Sequence, residues 1–475
     1  MATASFTSSE TSKGLDYRTV WRWHFYAGLF CIPFVLWLAT TGTIYLFKPQ
    51  IEAFMDRPYD NLHITQPASV NAQVQAALHA VPGSALDQYQ LPRSANASAQ
   101  ILVDRGTQQF RVYVHPQTMQ VLKIDNEDRR LETVVLHLHG ELLMGERGSW
   151  IIELAGSWAV IMIVTGIFLW WPRNAKGLGG VFYPRLWAGG RTFWKDIHSV
   201  TGIWISFLAL FLLFTGLPWA KSWGAYLKAV RHLSGENNVK QDWLISPANQ
   251  KLARAAHVAD AAAMPSGAMP RMDMSNMQGE HAGHSGHRSH SSGPMDYLPI
   301  DKIAATVAPL NLAYPVLIAP PTRPGGNWTA KSDAQDRPLR VNLTLDSRTG
   351  AILQRKDFSS KPWIDRVIGR GIAAHEGQLF GPLNQLLSLI TATGLVTLSI
   401  SGLVMWWRRR PEGVLGAPAP LRRIRFSGAL IAFLVAFGIY MPFLGGSMLI
   451  VFLTEKFLLR RLKPVSQWLG LQPIS

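Results

Sequence analysis

Five runs of the chain are apolar for so long that a lipid bilayer is their natural surrounding: His24 to Phe47, Trp150 to Trp171, Ile197 to Ala220, Leu383 to Trp407 and Phe426 to Leu453. At about 1.5 Å per residue, each reaches across a hydrocarbon core of roughly 30 Å. The chain as a whole, 48% hydrophobic and 16% charged, is too apolar for disorder. The expected fold class is a membrane α-helical bundle of five or six spans. The count turns on the last run, where Pro442, Gly445 and Gly446 interrupt a stretch that would extend roughly 50 Å to Leu459 as one helix. A sixth span would return Lys456, Arg460, Arg461 and Lys463 to the basic side. The first run is too long for a cleavable signal peptide, and no small-residue cleavage site precedes Lys48 and Pro49, so it reads as a retained span.

Lys and Arg collect in loops that stay in the cytoplasm. Arg18 and Arg22 precede the first span, Arg173 to Lys195 carry the basic charge between the second and third, and Arg408 to Arg425 lie between the fourth and fifth. The expected plan is a cytoplasmic N-terminus at 1–20, spans at 21–47, 149–171, 197–220, 383–407 and 426–459, basic cytoplasmic loops at 172–196 and 408–425, and a tail at 460–475. Two long segments, 48–148 and 221–382, then face the outside. The formal charge of +16 resides largely in the short loops, which makes the lipid bilayer, and no nucleic acid, the expected partner of that charge. Cys31 is the sole cysteine, so disulfides within the chain, Cys-ligated iron–sulfur clusters and covalent haem attachment are excluded.

The chain reads as a tandem duplication. The first span opens His24-Phe-Tyr-Ala-Gly28 and carries Thr41-Gly42; the third opens His198-Ser-Val-Thr-Gly202 and carries Thr215-Gly216, with His-to-Gly spacings of 4 and 18 in both. His139 is followed by Gly145, Gly166, Trp170 and Trp171, and His375 by Gly381, Gly402, Trp406 and Trp407, at offsets of 6, 27, 31 and 32 in each. The long segments correspond too. Helix is expected over Val70 to Val81 and Pro299 to Val307, and strands over Ala99 to Asp104, Phe110 to His115, Val121 to Ile124, Leu339 to Leu345 and Ala351 to Arg355. Two spans separate equivalent points, so the repeats are parallel, related by a pseudo-twofold axis along the membrane normal.

These span openings, the His-x-x-x-x-x-Gly segments before spans that end in Trp-Trp, and the paired small domains resemble the PepSY-associated transmembrane proteins, which include iron-regulated membrane proteins and siderophore reductases. The resemblance covers nearly the whole chain outside Met264 to Met295. It implies two periplasmic α+β PepSY-like domains, two bis-His b haems and reduction of ferric siderophores at a bacterial inner membrane, with ligands at His24, His139, His198 and His375. Some relatives carry a fused flavin or nicotinamide domain. This sequence has none, so the electron donor is expected to be a separate cytoplasmic flavoprotein or other reductase.

The residues themselves support that reading beside plainer ones. One histidine at a membrane helix end is ordinary, since its ring sits at headgroup level. Four in two repeat-related pairs, His24 with His198 and His139 with His375, point to axial ligation of haem iron, for which neutral imidazole is a standard ligand. Interfacial anchoring and direct binding of a metal ion are the alternatives. His137 competes with His139, although its repeat equivalent is Ala373. Gly28, Gly42, Gly166, Gly202, Gly216 and Gly402 permit close packing of helices or of a flat macrocycle. Trp170, Trp171, Trp406 and Trp407 fit an aromatic belt.

The unmatched insert carries Met264, Met269, Met272, Met274 and Met277, then His281, His284, His287 and His290, then Met295. Thioethers suit Cu(I) and imidazoles suit Cu(II), so the insert is a candidate copper site, with a plain linker as the alternative. No His-Glu-x-x-His motif occurs, which argues against a peptidase. Two functions from different classes follow: a di-haem inner-membrane reductase of a ferric siderophore or Cu(II), and a haem-free sensor or assembly factor that binds a periplasmic partner or metal.

Overall fold

The computed structural model describes residues 17–172, 177–233, 247–262, 297–322, 325–418 and 428–471. They form two compact units: Met1–Leu46, Val135–Leu244 and Gly381–Ser475 make up a helical unit, and Phe47–Val134 with Ile245–Phe380 make up a sheet unit.

The helical unit is built on α1 (Tyr17–Leu46), α2 (Glu146–Trp170), α3 (Gly190–Gly216) and α4 (Pro382–Arg409). These, with α3 extended to Trp219, and a fifth stretch, Pro442–Leu459, are long and apolar enough to cross a membrane. The chain is therefore a multi-pass membrane protein. The four helices close in a ring in which α1 packs on α2 and α4, and α3 packs on α4 and α2. This leaves α1 and α3 on a diagonal, facing each other across the bundle. Lipid tails supply no hydrophobic drive between helices, so contact depends on small residues that let backbones approach. Ala27, Cys31 and Ala39 on α1, Ala155, Ser157 and Ala159 on α2, and Gly394 and Ser399 on α4 are all buried. At Gly394 an added Cβ would come within 2.8 Å of Ile205.

After α4 come α5 (Gly428–Tyr440) and α6 (Pro442–Thr454), broken at Met441. Arg22 Nη1 on α1 donates both to Pro418 O (2.8 Å) and to Gly470 O (3.0 Å), so this segment begins and ends at the same end of the bundle. Between those points Phe443 stacks on Trp150 at 5.0 Å and Trp158 Nε1 donates to Ser447 Oγ at 3.1 Å, toward the opposite end of α2. The last apolar run is thus two helices joined at Met441, of which the second, with its continuation to Leu459, is long and apolar enough to cross a membrane. The first is short, 13 residues or about 20 Å.

The sheet unit departs from the expectation of two small domains. Its strands β1 (Ala85–Gln90), β2 (Ala99–Arg105), β3 (Gln108–Val114), β4 (Val121–Asn126), β5 (Val316–Ala319), β6 (Trp328–Ser332), β7 (Val341–Leu345) and β8 (Ile352–Asp357) form one sheet in the order β4-β3-β2-β1-β5-β6-β7-β8. Every neighbouring pair is antiparallel. Two four-stranded meanders meet along β1 and β5, where Tyr89 pairs with Ile318 and Gln90 with Leu317. Joining them removes two sheet edges that would otherwise offer unpaired N–H and C=O groups. Helices Val70–Ala80 and Ile300–Val307 cover one face, and Val74, Leu86, Ile101, Ile303, Ile318 and Trp328 from both meanders share one core.

Candidate functional site

His24 on α1 and His198 on α3 meet across the diagonal of the bundle. Each ring is fastened by Nδ1 to a neighbouring helix. His24 Nδ1 lies 3.0 Å from Met162 O and 3.1 Å from Thr165 Oγ1 on α2; His198 Nδ1 lies 3.1 Å from both Leu398 O and Ser401 Oγ on α4. A carbonyl oxygen can only accept, so Nδ1 must carry the proton in both. The hydroxyls agree, because Thr165 Oγ1 donates to Ile161 O and Ser401 Oγ to Thr397 O, both at 2.7 Å, which leaves each oxygen to accept from the imidazole. Nε2 is then a bare lone pair on each ring, with no hydrogen-bond partner among the described residues. Fixing the outer nitrogen in this way is how proteins orient a metal-ligating histidine and set its tautomer.

Glycines make the seats for the rings. A Cβ on Gly166 would sit 3.1 Å from His24 Cε1, and one on Gly402 would sit 3.5 Å from His198 Cε1. Gly28, one turn beyond His24, has no heavy atom within 4 Å of its would-be Cβ, which leaves open room beside the ring. The ring centroids are 6.3 Å apart with planes at 83°. Two imidazoles bound through Nε2 at about 2.0 Å to opposite sides of one metal ion place their ring centres about 6.3 Å apart. The pair is thus too far apart for a direct hydrogen bond between the rings, and its spacing matches that separation.

His139 repeats the arrangement near the far end of α1. Its Nδ1 lies 3.0 Å from Thr41 Oγ1, which itself donates to Trp37 O at 2.8 Å, and a Cβ on Gly42 would sit 3.1 Å from its Cε1. Trp37 Nε1 donates to Leu138 O at 2.9 Å and holds the same turn. His137 and His139 both lie on the helix Leu131–Glu141, on which positions two apart diverge. His137 turns away and pairs with Glu141, Nδ1 to Oε2 at 3.3 Å.

The passage from His139 into α2 is strained. Leu142 (φ 52°) and Leu143 (φ 56°) are left-handed, followed by Gly145 at φ 60°. Such a conformation costs a non-glycine residue about 1–2 kcal/mol, and it persists where surroundings over-determine it, often at functional sites. Leu143 is 60% exposed, so its side chain contributes little there. Leu143→Gly is expected to raise stability by roughly 1 kcal/mol, the relief exceeding the entropy that glycine adds to the unfolded chain. A thermal midpoint in detergent that falls would contradict this.

His375 closes the helix Trp363–His375 in the sheet unit, and the turn after it places Gly377 at φ 75°. Gly202 meets only Leu398 at 3.6 Å and has a packing role. Trp170 Nε1 donates to Val181 O and Trp406 Nε1 to Leu415 O, at 3.0 and 2.9 Å, so both indoles fasten the loops that follow their helices. Trp171 and Trp407 are exposed. The insert residues Met264, Met269, Met272, Met274, Met277, His281, His284, His287, His290 and Met295 lie outside the described residues. Thr165 and Ser401 were not apparent as site residues from sequence. Their signal is a hydroxyl residue immediately before a span glycine, at Thr41-Gly42, Thr165-Gly166, Thr215-Gly216 and Ser401-Gly402.

A family model described as the PepSY-associated TM region matches residues 21–409. No curated protein matches the chain.

Proposed function

The chain belongs to the PepSY-associated transmembrane family, and on that premise we propose that it is a di-haem b oxidoreductase of the bacterial inner membrane. In this reading the chain is a parallel tandem duplication with its N-terminus in the cytoplasm and its sheet unit in the periplasm. It passes electrons from a cytoplasmic donor to a metal outside, a ferric siderophore first and Cu(II) second.

The observation that carries the reading is the His24–His198 pair: two imidazoles with Nδ1 committed to carbonyl and hydroxyl acceptors, Nε2 bare, and centroids 6.3 Å apart. These residues would hold one haem, and His139, anchored by Thr41, would hold the other with its repeat counterpart His375. Haem held there would supply a one-electron carrier whose potential these histidines and their hydrogen bonds would tune. The remaining work belongs to the chain. Thr165, Ser401 and Thr41 keep the ligand tautomer, Gly166, Gly402 and Gly42 keep the rings in place, and the close-packed helices keep water from the core. Arg22, Arg408, Arg409 and Arg410 gather positive charge at the inner end, where an acidic donor protein would be drawn by electrostatic steering. Outside, reduction of Fe(III) loosens its hard oxygen ligands and frees the metal.

The test is a reduced-minus-oxidised spectrum with pyridine haemochrome quantitation of the full chain in detergent. Two b haems per chain, one of them lost in His375→Ala together with external metal reduction, are expected. A colourless, folded preparation from haem-replete cells would replace this reading with that of a haem-free sensor or assembly factor.

A further inference from the structure

The sheet unit contains a second convergence of ligand-bearing side chains. Asp87, Asp104 and His257 each offer one ligand atom, and these atoms all lie within 4.8 Å of one another. A β-bulge creates the place. β1 and β2 pair Leu86 with Val103 and Gln88 with Leu102, so Asp87 is the extra residue on β1. The bulge lets Leu86 and Tyr89 both enter the core and turns Asp87 to the other face, beside Asp104. His257 comes from helix Pro247–Ala262, which packs over β1, β2 and β3, and its Nδ1 lies 3.2 Å from Asp104 Oδ2.

The surroundings hold these groups in place. Gln109 Nε2 donates to Asp87 Oδ2 (2.8 Å) and to Asp104 Oδ1 (3.1 Å), while Gln109 Oε1 accepts from Arg254 Nη2 at 3.4 Å, which fixes the amide with its NH₂ toward the carboxylates. Arg254 spends its ion pair on Asp128, at 3.0 Å. Neither Asp87 nor Asp104 has a Lys or Arg within ion-pair distance among the described residues, and Asp104 is buried. Two facing carboxylates, one of them buried, thus share one compact cluster with a single imidazole.

We propose that Asp87, Asp104 and His257 form a binding site for one divalent transition-metal ion. Two carboxylate oxygens and an imidazole suit Zn(II) or Cu(II) and do not suit Cu(I), which prefers sulfur. Edges between ligands around such an ion measure about 3–3.5 Å for bonds of about 2.0–2.2 Å, so the cluster closes by small side-chain rotations. The helix that carries His257 ends at Ala262, two residues before the Met- and His-rich insert begins at Met264. This site is independent of the histidines in the helical unit and stands or falls without them.

The experiment uses the full chain in detergent with His281, His284, His287 and His290 all changed to alanine, stripped with a chelator and titrated calorimetrically with Zn(II). One equivalent of tight binding and a Zn(II)-dependent rise in thermal midpoint are expected, with the affinity at least about tenfold weaker in Asp87→Asn and in His257→Gln. Absence of any Zn(II) effect on the parent chain overturns the site, whether or not the variants fold. Folded variants that bind Zn(II) as the parent does overturn it as well, leaving Asp104 and His257 as a structural ion pair.

Discussion

Replacing His198 with alanine is expected to halve the haem content of the protein and to abolish electron delivery across the membrane, while the helical bundle stays folded. The difference between the two effects follows from magnitudes. Removing the ring ends two hydrogen bonds, to Leu398 O and Ser401 Oγ, each worth about 1 kcal/mol net. Ser401 Oγ keeps its own bond to Thr397 O, so no polar group of that hydroxyl is stranded. In the di-haem reading the ligand loss has no such compensation, because among the described residues the other imidazole at that position is His24, on the opposite side of the 6.3 Å gap. His24→Ala should therefore give the same result. The two changes should also fail to add: the double variant should lose no more haem than either single one, since both residues serve one group. Ser401→Ala is a milder case, in which Leu398 O still fixes the tautomer and the expected change is in potential, not in occupancy. Pyridine haemochrome quantitation of the three histidine variants decides the matter. A double variant with no haem at all, or with both haems, would break the pairing of His24 with His198.

What the sequence disclosed and what it concealed divide along the range of the interactions. The four spans around the histidines were legible because their signals are local and occur twice, at identical offsets from His139 and His375. Strands β2, β3 and β4 were legible within about two residues, since each is a short run with β-branched and other apolar residues next to turn residues. β1 was not, because Ala85-Leu-Asp-Gln-Tyr-Gln90 is half polar and its bulge breaks the alternation. β5 has only four residues, and β6 alternates weakly. Those are the strands at and beside the seam, so the joining of two meanders into one sheet depended on a pairing more than 200 residues apart, Tyr89 with Ile318. The glycines were read mainly as packing residues. For Gly42, Gly166 and Gly402 the structure shows each facing an imidazole edge, a role that no spacing rule reveals. The Asp87, Asp104 and His257 cluster has no linear signature, since its members come from two strands and a helix far along the chain.

A second large effect is expected at Gly148, a residue with no marked feature in the sequence. Propensity alone predicts that Gly148→Ala should help, since glycine inside a helix costs about 1 kcal/mol relative to alanine. The local geometry reverses the sign. An added Cβ would run into Glu141 O and its carbonyl carbon, a collision with backbone that no side-chain rotation relieves. Nor can the peptide swing aside, because Glu141 O accepts from Met144 N at 2.8 Å and Ser149 Oγ donates to Gly140 O at 3.3 Å. The first turn of α2 must then separate from the helix that carries His139, against a turn already strained at Leu142 and Leu143. The cost belongs with the rare substitutions above about 4 kcal/mol. His139 should lose its seat between Thr41 and Gly42 and, in the di-haem reading, one of the two haems with it. Gly156→Ala supplies the control on the same helix: the nearest atom to its Cβ is Leu213 Cδ2 at 3.8 Å, so alanine fits there and should be neutral or slightly stabilising. Thermal midpoints and haem content of the two variants, measured side by side in detergent, test the point. If Gly148→Ala behaves as Gly156→Ala does, the close approach to Glu141 does not hold the His139 turn in place.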